Sequence, residues 1–203
     1  MMPLVWLALL PVLALAAPDD DARLARGEII LTTRPVAGND IPESTVRAVV
    51  DAPPDVVWSI VSDCANYKTT MPSIADSRVV SSVPPTEREG PDAVEVKTCR
   101  VVAHLPFPFP DLVSVTRGVH TIVPGKKWQR AWMLVEGDYD RNQGRWLLEP
   151  AGDKTLVTYT IDAKPKVFLP AGLVAAIQQG KLPELMQRVR AKAAAVIAAR
   201  APH

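Results

Sequence analysis

From Arg78 to Ile161 the sequence is a succession of period-two segments with no helical stretch between them. Arg78–Val83, Ala93–Ala103, Leu112–Val123, Trp128–Glu136, Arg145–Glu149 and Thr155–Ile161 read as strands, divided by turn signals such as Pro84-Pro85, Pro124-Gly125 and 138–144. Short strands joined by short turns pair antiparallel, because a parallel partner needs a long crossover connection. The C-terminal segment has a different period. From Leu169-Pro170 to Arg200, residues such as Leu173, Ile177, Leu182, Leu185, Met186 and Val189 form an apolar stripe at helical spacing, with Lys181, Arg188 and Lys192 mostly off it. At about 1.5 Å per residue such a helix crosses a whole sheet. Gly180 and Pro183 fall inside it and predict a kink or a break, because proline removes an i→i−4 hydrogen bond. The segment Leu169–Lys181 is then a lid, hinged on a more firmly packed second half.

Ahead of the meander, Gly27–Arg34 reads as a strand and Gly38-Asn39-Asp40 as a turn. Thr45–Asp51 alternates, with Val46, Ala48 and Val50 on one face. Pro53 and Pro54 pre-set the first turn of a helix, and Asp55 favours its positive end. Val57, Ile60 and Val61 continue it at helical spacing, and a second short turn is expected over Ala65–Met71 before Pro72. The pattern predicts one α+β domain, an antiparallel sheet gripped by a long C-terminal helix.

The 203 residues suit a single domain, and 48% hydrophobic residues suffice for a core. Lys and Arg number 23 against 22 Asp and Glu, for a net charge of +1, and no run of like charge occurs. Nucleic acid is therefore excluded as the expected partner, since phosphate binding needs concentrated basic charge. Residues 1–17 carry no charged side chain, and the apolar run is shorter than the roughly 20 residues that span a bilayer. It ends in Ala14-Leu15-Ala16, the small-x-small pattern of a cleavable signal. The expected division is a signal over 1–17, an acidic linker over 18–26 and the domain over 27–200. The alternative is an uncleaved anchor. Either way the domain is exported, periplasmic or secreted. In that compartment Cys64 and Cys99 either bridge or stand as two separate small buried residues, and spacing does not decide between these.

Four stretches carry a resemblance through their order. They are EIILTTRPVAGNDIP, then VRAVVDAPPDVVWSIVSDCANYKTTMP with Ala52, Pro53, Trp58, Asp63, Tyr67, Met71 and Pro72 in cadence, then LPFPFPD, then GRWLLEP…TLVTYTIDAKP…LPAGLV. Together they resemble the START-type lipid-binding domains of the SRPBCC superfamily, which also holds polyketide cyclases and coenzyme Q-binding proteins. Two departures stand out: Pro110-Asp111 where the family often has Arg-Asp, and Lys166-Val167-Phe168 where it tends to have Gly. The resemblance implies a helix-grip fold, a curved sheet closed by the C-terminal helix around an elongated apolar cavity. Physical reasoning agrees, since an apolar sheet face and an apolar helix stripe must be buried together, and curvature beyond what one helix fills leaves a pocket.

Strand parity supplies the candidate residues. Val94, Val96 and Val102 suggest an inward face that includes Arg100; Val113, Val115 and Val119 do the same for Arg117. Both arginines are candidate anchors for a ligand headgroup or carboxylate. The plainer reading, a rim position or a structural pair with Asp162 or Glu136, weighs slightly more, because one register slip turns both to water. Trp128, Trp132 and Trp146 share the inner parity if Leu134 and Leu148 point in, and core filling weighs more for them than stacking on a flat ligand. Trp58, Tyr159, Leu173 and Ile177 complete the candidate lining. His104 and His120 read as edge or turn histidines, with no nucleophile in a G-x-S-x-G context. Phe107, Phe109, Val167 and Phe168 fall in loops, as a mouth touching membrane or partner or as loops tucked onto the core. The expected function is non-catalytic binding and transfer of a lipid or other hydrophobic small molecule, with transient membrane contact and neither cofactor nor metal. The rival is a polyketide cyclase or hydratase-like enzyme in which Arg100, His104 or Tyr159 polarises a carbonyl.

Overall fold

A computed structural model describes residues 20–200 of the chain. The export signal predicted over 1–17 lies outside the described residues. The first element is a short helix, α1 (Asp20–Ala25), within the stretch expected as a linker over 18–26. Leu24 is buried against the domain, and Arg47 reaches Asp20 and Asp21 at 3.6 and 3.7 Å. One apolar anchor and a shared counter-ion are enough to dock the segment.

Strands β1 (Ile30–Val36) and β2 (Asn39–Val50) form a hairpin, with Gly38 at φ 72° supplying the positive angle its tight turn requires. Helix α2 (Pro54–Val61), a 3-10 turn at Cys64–Asn66 and helix α3 (Tyr67–Thr70) then carry the chain to the opposite edge. Pro54 sits at the helix start, where its missing N–H costs nothing. From that edge β3 (Ile74–Val83), β4 (Ala93–Ala103), β5 (Leu112–Val123), β6 (Lys127–Gly137), β7 (Tyr139–Ala151) and β8 (Lys154–Pro165) meander back. The last strand pairs with β2, so the order is β1-β2-β8-β7-β6-β5-β4-β3, antiparallel throughout. Register shifts in β3, β4, β5 and β7 mark irregularities that bend and twist the sheet.

Residues 138–144 read as a turn, yet the structure places most of them in β7, with Gly144 in the ladder opposite Trp132 and Ile161. Glycine and asparagine there serve side-chain packing and hydrogen bonding within the ladder.

Helix α4 (Ala171–Arg200) lies across the inner face. The break expected at Gly180 and Pro183 is absent, and Pro183 sits inside one helix of 30 residues. Pro183 deprives the Gln179 carbonyl of its intrahelical donor, but Gln179 and Gly180 are exposed, so the carbonyl is open to solvent donors. The second half of α4 buries Leu185, Met186, Val189 and Ala193 against β2 and α2, where Val46, Val50, Val57 and Val61 complete the core. Each such fully buried side chain stabilises by roughly 1.5–3 kcal/mol. Cys64 and Cys99 are joined as a disulfide, which clamps the turn after α2 onto β4.

Candidate ligand cavity

The first half of α4 touches the sheet at its margin, where Gln178 Nε2 donates to the Pro42 carbonyl of β2 at 3.2 Å. Between them lies a cavity of about 610 Å³. Leu105, Leu112, Ile161, Ala163, Ile177 and Leu182 give it an apolar wall, with His104, Gln178 and Lys181 among its few polar lining groups. Its volume falls in the range of roughly 300–1,000 Å³ typical of small-molecule sites. A second chamber of about 190 Å³ continues inward. The two share Met71, Ile74, Ala103, Tyr139, Tyr159, Ile161 and Ala163 as lining, so they adjoin.

The inner chamber is built where β5 turns its polar parity inward. Leu112, Ser114, Thr116 and His120 are buried, while Val113, Val115, Arg117 and Val119 on the other face are only partly covered. On β6, Arg130 and Trp132 point the same way. Trp132 Nε1 donates to Asn142 Oδ1 at 3.2 Å, and its ring stacks on Tyr159 at 5.6 Å. Trp146 packs on the same tyrosine at 4.4 Å. The Tyr67 hydroxyl donates to the Val61 carbonyl at 2.8 Å. Burial pushes the Tyr139 phenol up to about 12, with Asp138 adding to the effect. Burial likewise raises Tyr67 and Tyr159. All three phenols keep their protons at working pH.

His120 is a correction to the edge or turn position expected for it. It is almost wholly buried, with Nδ1 2.9 Å from Glu95 Oε2 and its ring edge-on to Trp58 at 5.1 Å. Burial, then the Arg130 charge, lowers it to about 4 against the opposing pull of Glu95, so it is neutral at pH 7. His104 sits at the cavity margin, exposed, with Nδ1 2.7 Å from Asp111 Oδ1.

Arg100 and Arg117 are the principal corrections. The strand is one residue out of the expected parity: Cys99, Val101 and Ala103 face the helices and cavity. Arg100 therefore lies on the outer face, 3.3 Å from Asp76, and Arg117 pairs there with Glu89. The Thr86 hydroxyl and N–H, then Arg117, hold the Glu89 carboxyl down to about 2. Neither arginine meets Asp162 or Glu136; Asp162 forms an ion pair with Arg141 at 2.8 Å and accepts from Gln143 Nε2 instead. Of the other candidates, Trp132, Trp146, Tyr159 and Ile177 line the cavity. Trp58 packs against the main core, and Leu173 is half-buried outside the lining. Arg130, Tyr67, Tyr139 and Asn142 were not anticipated. For Arg130 the signal was present, since the parity that points Trp128 and Trp132 inward points residue 130 inward as well.

A long C-terminal helix gripping an antiparallel sheet around an internal apolar space defines the START-type helix-grip class. A family model described as polyketide cyclase / dehydrase and lipid transport matches residues 50–190, and the chain belongs to that family. The fold is shared with a STAR-related lipid transfer protein from Xanthomonas axonopodis, at 20% identity and a TM-score of 0.64, over 80% of this chain and 93% of that one. It is also shared with human StAR-related lipid transfer protein 5, at 12% identity and a TM-score of 0.67, over 84% and 83% of the two chains. Human StarD13, through its lipid transfer and protein localization domain, shows 19% identity and a TM-score of 0.62, over 81% and 84%. No curated protein sequence matches.

Proposed function

We propose that the protein holds one hydrophobic small molecule or lipid in the space between α4 and the sheet, and carries it without chemical change. The apolar cavity of about 610 Å³ under the first half of α4 is the observation that carries this reading. The family description and the lipid-transfer proteins that share the fold support it. Phe107 and Phe168 are 96% and 85% exposed, and each stands next in sequence to a lining residue, Pro106 and Leu169. Two such side chains beside a mouth suit transient contact with a membrane during loading. Export is part of the proposal, supported by the signal-like residues 1–17 and by a disulfide, which persists in oxidising compartments. The test is saturable uptake by delipidated protein of phospholipid, sterol, isoprenoid or fatty acid probes, read by native mass spectrometry. Absence of uptake for every probe class ends the reading.

The enzymatic alternative keeps one specific support, the His104–Asp111 pair at 2.7 Å on the cavity wall, with Tyr159 as a phenolic donor. Arg100 no longer serves it, being on the outer face. A hydrophobic carbonyl substrate that turns over, and turns over more slowly with His104→Ala, decides for catalysis.

A further inference from the structure

Arg130 is 2% exposed, and among the described residues no carboxylate oxygen lies within 4.0 Å of its guanidinium. Its Nη2 reaches only the Cys99 sulfur, at 3.4 Å, and its Nε is buried without any partner. The Tyr67 and Trp132 rings stand 5.8 and 5.4 Å from its Cζ. Ring faces return only part of what desolvation removes. A lysine in this position would shed its proton, but a guanidinium keeps its charge at every accessible pH. The folded protein thus holds a permanent buried cation with no carboxylate at ion-pair distance among the described residues, an arrangement that is costly unless something completes it.

The inner chamber lies directly against this group. Its other polar lining is neutral and includes groups able to donate: the Ser114 and Thr116 hydroxyls, the Tyr139 and Tyr159 phenols, and Asn142. Asn142 Oδ1 is occupied by Trp132 Nε1, which leaves the amide NH2 to donate. Among the described residues no Asp or Glu lines either chamber.

We infer that the inner chamber is a carboxylate-binding pocket, with Arg130 as the counter-charge, and that the cavity takes a single-chain amphiphile head-inward with its apolar tail in the larger chamber. The inference rests on the container reading above and adds the ligand's class and orientation. One fixed positive charge surrounded by neutral donors matches one negative charge. A planar carboxylate fits the guanidinium fork in a bidentate way, whereas a phosphate monoester brings close to two charges and leaves one unmet. A phosphodiester carries a single charge too, and the experiment distinguishes it.

Delipidated full-length protein is titrated by calorimetry at pH 8 with hexadecanoate, hexadecanol and a lysophosphatidylglycerol of the same chain length. The acid is expected to bind at least ~10-fold more tightly than the alcohol, as a desolvated charge-assisted pair requires. Arg130→Met is expected to remove that preference and to raise the melting temperature of the ligand-free protein by deleting an uncompensated charge. Equal affinity for acid and alcohol in the wild-type protein overturns the anchor and leaves the container standing, without reliance on any variant. Tighter binding of the lysophosphatidylglycerol overturns the carboxylate assignment, and no uptake of any of the three overturns the single-chain amphiphile and its anchor, while the wider probe set named above decides the container separately.

Discussion

Gly144 lies directly beneath the Trp132 indole. A Cβ on residue 144 would stand 2.6 Å from Trp132 Cζ2 and closer still to the Thr160 carbonyl oxygen. The missing side chain is what allows β7 to pass under a tryptophan that walls the inner chamber. Because one obstruction is backbone, no rotamer change relieves it. Gly144→Ala is expected to lower stability by about 1–3 kcal/mol, as overpacking does, and to weaken ligand binding through displacement of Trp132. Urea unfolding and a parallel ligand titration check both effects; a wild-type midpoint would show that β7 yields.

The Cys64–Cys99 disulfide closes a loop with a sequence separation of 35. Loss of a cross-link over such a loop is expected to cost about 3–4 kcal/mol, mostly through the unfolded chain. The paired substitution Cys64→Ala with Cys99→Ala should unfold at lower urea, and adding reductant should bring the wild-type protein down to the same midpoint. A reductant-insensitive midpoint would argue that the bridge contributes little in solution.

His120 makes stability depend on acid. Its folded value of about 4 lies below the ordinary 6.5, chiefly through burial and then through Arg130. Between those values the unfolded chain binds the proton and the folded chain does not. Stability therefore rises with pH across that window and is lost as pH falls through it. The expected loss from this group is on the order of 2–3 kcal/mol on going from pH 7 to pH 4. His120→Gln should flatten the melting temperature over this range relative to wild type, while retaining the fold. A variant with the same pH profile as wild type would assign the acid sensitivity elsewhere.

Ala103 lines both chambers. Ala103→Phe is expected to fill the junction between them, cutting ligand affinity at least ~10-fold while keeping or raising the melting temperature, because apolar volume is added to open space. Calorimetric titration beside thermal melting separates this outcome from misfolding. Undiminished uptake would place the ligand outside the cavity.

Much of the architecture was legible because period two and period 3.6 are direct consequences of backbone geometry. The strands Ala93–Ala103 and Leu112–Val123 carry the boundaries expected of them. The inward face was not legible on those same strands, since valine suits an extended backbone on either side of a sheet. On β5 the valines face outward and Ser114, Thr116 and His120 inward, an inversion that a cavity permits and a solid core would not. On β6 the three large side chains at 128, 130 and 132 share one parity, and the two tryptophans masked the arginine between them. The Gly180–Pro183 break was expected from local propensity alone, whereas packing of Leu185, Met186 and Val189 on the core keeps the helix whole.

The sheet order also sets a timetable for folding. β2 lies beside β8, and Thr155 Oγ1 donates to the Ala52 carbonyl across a sequence separation of 103 residues. The β1–β2 hairpin cannot take its place in the sheet until nearly the whole chain has been synthesised. Its free edge must wait, and contacts of such long range fold slowly. A chain that has to stay open until its final strand arrives must keep that edge from wrong partners for most of its synthesis.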